Sequence, residues 1–490
     1  MLSLITRIPS LKRLIITLCL SISLAHAVEI DKMNLPDMGD SSGALFTAAE
    51  EKELGEAFFR SLHSQIEISQ DSEIQDYIQA IGERLTANSD NPSYPFHFFV
   101  VMENDINAFA GPGGYIGVNS GLLLITEAES ELASVMAHEI GHITQRHLYR
   151  AFEAQQRMSI PSMAAMLAAI ALGTQNPAAG QAAIMAAMAV GVQSQIDFTR
   201  ENEQEADRVG MQTLVGSQFD PRSMPTFFER LQQASRYYGQ AVPEFLRTHP
   251  VTASRIADTR GRAEGYPYKQ FPDSLAYQLV KAKLRVLSSL TNLTETARYF
   301  QVRVNQGTAE QRDVANYGLG LVALYQEKFA DAEAIFQRLA KDAPNDEHYQ
   351  SALARTALAA KNFMMAQTRY QRLIAQYPEN EAIKLDYIRA LLRLGDIEAG
   401  QKYLATLSAN TQQLPIYWEL QAQVYSLLNQ PAESHRYLAE YYYSMGDLHD
   451  AILQIKLAQQ SRSLNFFMTT LLAERLNFFL NQQAQLRSGR

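Results

Sequence analysis

The stretch Ala137-His138-Glu139-Ile140-Gly141-His142 decides how this chain is read. It is an HExxH pattern set in an apolar run, Leu132, Ala133, Val135, Met136, Ala137, Ile140 and Ile143, which predicts a buried helix. Thr126 and Glu129, just ahead of it, have the spacing of a capping box. His138 and His142 are four apart and so share one helical face, where two imidazole nitrogens can reach one Zn²⁺ at about 2.0–2.1 Å. Glu139 is then aimed at a metal-bound water, and the implied chemistry is zinc-assisted hydrolysis of a peptide bond. The same pattern also falls on ordinary surface helices. Here the apolar flanks would bury two imidazoles and a carboxylate, which is costly unless a metal compensates them.

Working outward, 490 residues exceed one ordinary core, so two domains, or one domain and a repeat array, are expected. A hydrophobic fraction of 47% and a charged fraction of 19% fit a globular chain. The net charge of −9 gives no support for a nucleic-acid partner. At the start, Arg7, Lys12 and Arg13 precede the apolar run Leu14 to Leu24, which ends in Ala25-His26-Ala27. That reads as a secretory signal, residues 1–27, cut before Val28. The run is shorter than the roughly 20 residues a spanning helix needs. Its removal takes three basic and no acidic residues, carrying −9 to −12. The one cysteine, Cys19, lies inside it behind Leu18, so the mature chain is expected to have neither disulfide nor lipid anchor. The expected location is a bacterial periplasm.

Residues 28–46 show no sustained period and read as an extended lead-in. Thr47 to Leu62 and Ser72 to Asn88 carry apolar residues at helical spacing and read as packing helices, and Phe96 to Met102 reads as a strand. Then Gly111-Pro112-Gly113-Gly114 turns into Tyr115, Ile116, Gly117 and Val118, a short strand just before the motif helix. Two readings stay open for it: a plain hairpin, or an edge that binds substrate by pairing with an extended peptide backbone.

A hydrolytic zinc needs a third protein ligand and an open fourth position. The candidate is in Glu201-Asn202-Glu203-Gln204-Glu205-Ala206-Asp207. Glu203 and Asp207 share a helix face, so Glu203 can bind the metal while Asp207 accepts the free N–H of a ligand histidine, with Glu201 and Glu205 turned to solvent. Without HExxH the segment would be only an acidic helix.

Together, HEIGH, Glu203 of E-x-E-A-D 61 residues beyond it, NAFAGPGGYIGVNSGLL and the later Thr248-His249-Pro250…Arg255-Ile256 resemble the gluzincin peptidases related to HtpX and the CAAX prenyl endopeptidases, over roughly residues 50 to 265. The resemblance implies His138, His142 and Glu203 as ligands of one Zn²⁺ per chain, Glu139 as base and Asp207 as the partner behind a ligand. It also sets His249 beside the metal, either donating to the oxyanion or filling the open position and holding the enzyme latent. A structural histidine before proline is the other reading, and Arg255 is a weaker orienting candidate.

Met158 to Val192 is rich in Met and Ala, with two apolar runs below spanning length, Met163 to Leu172 and Ala178 to Val192. A helical hairpin over the cleft, an adaptable surface touching apolar clients or membrane, and a buried helix pair all fit it. After Gly265-Tyr266-Pro267 and Phe271-Pro272 the pattern becomes almost unbroken helix. Leu319, Gly320, Phe329, Ala332, Phe336 and Pro344 recur 34 residues on as Leu353, Ala354, Phe363, Ala366, Tyr370 and Pro378, the tetratricopeptide spacing. Weaker echoes around Gly395, Trp418 and Gly446 look like further helix pairs. Such arrays bind peptides or proteins along a groove.

The expected architecture is mainly α: an α+β zincin-type metallopeptidase domain over 47–265, with the HExxH helix beside a small sheet, then an α-solenoid of tetratricopeptide repeats over 273–485. The expected function is a periplasmic zinc metalloendopeptidase with a chaperone-like role. By resemblance its partners are unfolded or misassembled outer-membrane proteins and, through the repeats, the outer-membrane assembly machinery, with peripheral membrane contact allowed. The rival is a non-proteolytic assembly factor that binds clients through its repeats and keeps its metal site latent.

Overall fold

The computed structural model describes residues 46–152, 160–172, 200–237, 243–462 and 464–488. The expected leader with its cut before Val28, Cys19 and nearly all of the lead-in lie outside the described residues, as does the 158–192 piece apart from 160–172. The chain divides into two units, Met1–Thr47 and Ala48–Arg490, and every helix and strand from Ala48 onward belongs to the second.

A three-stranded sheet organises the first half. Its strands are β1 (His97–Val101), β2 (Ala108–Ala110) and β3 (Tyr115–Asn119), in the order β1-β3-β2. β1 runs parallel to β3 with Phe99 opposite Gly117, and β2 runs antiparallel to it with Phe109 also opposite Gly117. A side chain at Gly117 would meet the Phe109 ring 2.5 Å from its Cβ, so the middle of the sheet needs glycine. Alternation gives each face its own partner. Phe98, Val100, Ile116 and Val118 join one core with Leu132, Val135, Met136 and Ile140 of the motif helix, Glu129–Thr144, and with Ile74, Ile78 and Ile81 of Ser72–Thr86. On the opposite face, Phe59 of Ala48–His63 stacks on Tyr115 and meets Phe99 edge-on, with ring centroids 4.8 and 5.0 Å apart.

This order corrects the expectation for Tyr115, Ile116, Gly117 and Val118. They form the middle strand, paired on both sides and fully buried, so they offer no free edge to a peptide. The edge beside the motif helix belongs to β2, whose outer side no strand pairs among the described residues.

The capping box at Thr126 is also absent. The Thr126 hydroxyl donates back to the Leu123 carbonyl at 2.8 Å, and the helix start is held across the chain: Asp273 accepts the Glu129 N–H at 2.7 Å. In return the Glu129 carboxylate accepts from the Ser274 N–H at 2.9 Å and from the Tyr77 hydroxyl at 3.0 Å. Within the Met/Ala-rich piece, the described helix Ile160–Ala171 buries Met163, Met166 and Leu167 and packs along Ala48–His63. The second apolar run, Ala178 to Val192, lies outside the described residues.

The second half is a succession of helix pairs. The helix Leu275–Leu287 has two apolar faces: Tyr277, Val280 and Leu284 enter the sheet-and-helix core, whereas Leu279, Ala282 and Val286 enter the core of the next helices along the chain. The pairs then run from Ala309–Tyr325 with Phe329–Asp342 and Glu347–Ala359 with Phe363–Gln376, through Glu381–Leu394 with Ile397–Leu404, to Pro415–Leu427 with Pro431–Ser444. The turn inside each of these four pairs holds one left-handed residue, Glu327, Lys361, Gly395 and Asn429, each 34 residues after the last. The tetratricopeptide period therefore persists through the pairs whose side-chain pattern has faded.

Candidate metal centre

Two helices cross at the site, and two glycines let them approach. A Cβ at Gly210 of the helix Arg200–Gly216 would lie 2.9 Å from the Ala137 carbonyl, and one at Gly141 would lie 3.0 Å from the Ala206 carbonyl. This contact of backbone on backbone brings Glu203 and Asp207 to the two histidines. A third element, the short helix Glu244–Thr248 with His249 at its end, closes over them, anchored where the Phe245 N–H donates to Ile106 ahead of β2.

His138, His142, Glu203 and His249 are all buried, and their donor atoms lie within 4.8 Å of one another. His138 Nε2 is 3.1 Å from His142 Nε2 and 3.5 Å from Glu203 Oε2; His142 Nε2 is 3.4 Å from Glu203 Oε1. His249 Nδ1 stands 3.4 Å from His138 Nε2 and 3.0 Å from Glu203 Oε1. Two ligands each about 2.0–2.2 Å from a tetrahedral ion are themselves roughly 3.3–3.5 Å apart, so these separations fit a tetrahedral metal. Charge agrees. With neutral imidazoles, Glu139, Glu203 and Asp207 against the Arg255 guanidinium leave this buried cluster two negative charges in excess, which a divalent cation balances.

Supporting contacts hold the residues of this cluster. Asp207 Oδ1 lies 2.9 Å from His138 Nδ1 and is itself clamped by Arg255, Nε to Oδ2 and Nη2 to Oδ1 at 2.7 Å each. Arg255 Nη1 also reaches Glu203 Oε2 at 2.6 Å and donates to the Pro250 carbonyl at 3.0 Å, so the expected weak orienting residue ties both acidic groups to the His249 turn. His147 and Arg150 were not singled out from the sequence. His147 Nδ1 is 2.8 Å from His142 Nδ1, and its Nε2 is 3.1 Å from Glu205, which also pairs with Arg150 at 2.9 Å. Glu205 is thus held by His147 and Arg150 while staying 32% exposed, and Glu201 is exposed. The one available signal was His147 itself, the third histidine within ten residues.

Electrostatics separates the groups. Burial opposes charge on His138, but Asp207 and Glu203 outweigh it and push its pKa up to about 9. Burial alone would raise Glu203, yet His249, His138 and His142 hold it well below the usual carboxylate range. Burial pushes Glu139 up, against the opposing pull of His249, His138 and the Ala110 amide. Among the described residues neither Glu139 oxygen makes a well-formed hydrogen bond, and His249 Nε2 is 3.6 Å from Oε1. A fully buried carboxylate held this way is an acceptor beside the metal-ligand cluster, with a raised affinity for a proton.

Comparison with known proteins points the same way. The model of peptidase family M48 matches residues 72–263, and a tetratricopeptide-repeat model matches 357–424. The beta-barrel assembly-enhancing protease of Escherichia coli (strain K12) is 34% identical over 437 residues, 88% of each chain. The protein of that name from Yersinia pestis is 34% identical over 433 residues, 86% of this chain and 88% of the relative. The mitochondrial metalloendopeptidase OMA1 of Schizosaccharomyces pombe is 29% identical over 180 residues, 37% of this chain and 50% of the relative. Among the described residues no helix is long and apolar enough to cross a membrane. The family match spans every residue of the buried cluster and the whole-length relatives are proteases, so the chain belongs to peptidase family M48, as a metallopeptidase that carries tetratricopeptide repeats.

Proposed function

We propose that this metallopeptidase is a zinc endopeptidase of the periplasm that degrades, or helps to assemble, outer-membrane proteins that have stalled or misfolded. The observation that carries the zinc reading is the tetrahedral spacing of two imidazoles and one carboxylate in a cluster that, with its imidazoles neutral and its carboxylates ionised, carries two negative charges in excess. The client class rests on the name of the relatives aligned over 88% of their length, and the compartment on the N-terminal leader pattern. The peptidase part is assigned to 47–265 and the repeats to 273–485, with Leu275–Leu287 belonging to both cores.

His138, His142 and Glu203 are the ligands in this reading. Zinc, when bound there, polarises the scissile carbonyl and lowers the pKa of water toward 7. Glu139 accepts the proton of the attacking water, and its raised pKa suits it to hold that proton and pass it to the departing amine. Asp207, held by Arg255, keeps His138 Nε2 facing the metal. The outer edge of β2, Ala108–Ala110, aligns an extended substrate backbone next to Glu139.

Control is the second element of the reading. His249 Nδ1 sits at ligand spacing from His138 and Glu203, where it fills the position that a hydrolytic zinc needs open, and the enzyme is latent until the Glu244–Thr248 helix moves. Purified Glu139→Gln is expected to retain about one zinc per chain and to lose cleavage of an unfolded protein by at least about 100-fold. Undiminished cleavage would remove the mechanism. If Glu139→Ala restored outer-membrane integrity in a deletion strain as fully as the wild type, the main role would pass to the repeats.

A further inference from the structure

The outer face of the sheet, turned away from the metal, lines a cavity of about 340 Å³ closed on its other side by the helix Glu381–Leu394. Its floor is aromatic: Phe59 stacks on Tyr115, Tyr115 on His97, and Phe99 meets Phe59, with centroids 4.6 to 5.0 Å apart. Its rim is acidic. Asp76, Glu83 and Glu379 have no cation within ion-pair distance among the described residues, whereas Glu381 is held by Lys384 at 2.8 Å and Arg389 by Asp386 at 3.2 Å. His63 adds an independent sign. It lines the same cavity at 8% exposure, and neither of its ring nitrogens has a hydrogen-bond partner among the described residues. Burial pushes its pKa down to about 4, so at neutral pH one nitrogen is a bare acceptor. Carboxylates without cations, π faces and an imidazole acceptor all ask for the same complement, a cationic donor with an apolar stem.

We infer that this groove takes a basic stretch of unfolded polypeptide, seating a lysine or arginine side chain over the Phe59–Tyr115–His97 floor with its charge among Asp76, Glu83 and Glu379. A cavity of this size holds one or two side chains, and the peptidase sheet supplies its floor while the repeats supply its wall. A client bound there bridges the two parts of the molecule. The inference rests on the proteolytic reading, since it gives that enzyme a surface that selects its client away from the metal.

The test uses metal-loaded Glu139→Gln protein and fluorescence anisotropy of a labelled Gly/Ser-rich peptide carrying arginine and phenylalanine. The expected result is saturable binding that weakens as salt rises and is absent for the same peptide with glutamate in place of arginine. Glu83→Lys with Glu379→Lys, both on the exposed rim, is expected to weaken binding about tenfold or more with an unchanged melting temperature. In the wild-type enzyme the same pair should raise KM for a basic unfolded substrate and leave kcat alone. Equal binding of both peptides, or unchanged affinity in the charge-reversed pair, overturns the groove. So does spermidine competing as well as the peptide, since that identifies a small polycation as the occupant. Loss of cleavage without loss of binding bears only on the proteolytic reading, because the binding assay involves no turnover.

Discussion

His142 turns one nitrogen to the candidate metal centre, and its orientation depends on what the other nitrogen meets. A ligand imidazole that must accept at Nε2 has to carry its proton on Nδ1, and here that proton points at His147 Nδ1, 2.8 Å away. Burial lowers the His147 pKa to about 4, so it stays neutral, accepts from His142 and donates from Nε2 to Glu205. His138 is held in the corresponding way by Asp207 and Arg255. His147 is therefore a positioning residue, and His147→Phe keeps the ring volume but removes the acceptor. Zinc affinity, measured by competition with a chelating dye, is expected to fall about 10–100-fold in this variant. His147→Gln, which can still accept, should recover part of the loss, and unchanged affinity in His147→Phe would deny the residue this part.

At the scale of elements, the repeats bring a cost that the sequence period conceals. Glu327, Lys361 and Asn429 adopt φ of 59°, 59° and 56°, a region that crowds the Cβ of an L-residue, while the equivalent Gly395 has none. The 34-residue turn needs this geometry whatever side chain stands there, because the second helix of each pair packs back on the first only through a left-handed corner. Gly320 shows the same demand in the packing, since a Cβ there would meet the Phe336 ring at 2.5 Å. Lys361→Gly is expected to stabilise the chain by about 0.5–1 kcal/mol, the relief of the left-handed residue less the extra freedom of glycine in the unfolded state. A higher urea midpoint at unchanged slope would show it, and a lower midpoint would mean that the Lys361 side chain supports the turn.

Across the whole molecule, peptidase and repeats are joined through buried charges as well as through the shared helix Leu275–Leu287. Lys283 of that helix binds Asp71 and Glu73 at 2.7 Å each; Arg355 of the repeats binds Glu73 at 2.8 Å and Asp386 at 2.6 Å. Burial raises the Glu73 pKa, but Arg355 and Lys283 together hold it far below the usual range, so this junction stays ionised through the neutral and mildly acidic span. Asp76, one helical turn on, is in the opposite condition. Burial first, then Glu347, Glu381, Glu83 and Glu73, push it up to about 6. A carboxyl raised in the folded state contributes stability that is complete below about pH 4 and is lost as pH rises through 6. Asp76→Asn should accordingly be more stable than the wild type by about 1–2 kcal/mol at pH 8, with the difference vanishing near pH 4. Denaturation midpoints across that span check it, and a difference independent of pH would remove the electrostatic cause.

The sequence by itself determined the features whose signal runs along the chain. HExxH and E-x-E-A-D put His138 with His142, and Glu203 with Asp207, on shared faces by the four-residue return of a helix, and the first two repeats declare themselves by a fixed period, so both patterns were legible before any contact was known. Tertiary structure alone decided what depends on which elements become neighbours. Strand order put Tyr115 to Val118 in the middle of the sheet and β2 at an edge, a choice that alternation within one strand does not encode. The cap of the motif helix came from Asp273, the clamp on Asp207 and Glu203 from Arg255, and the fourth donor from His249, each separated by tens to more than a hundred residues from what it holds. The physical reason is one of range. A helix face and a repeat period are fixed by bonded geometry between near residues, whereas these contacts form only after the two glycine-paired helices have crossed and the repeats have closed against the sheet.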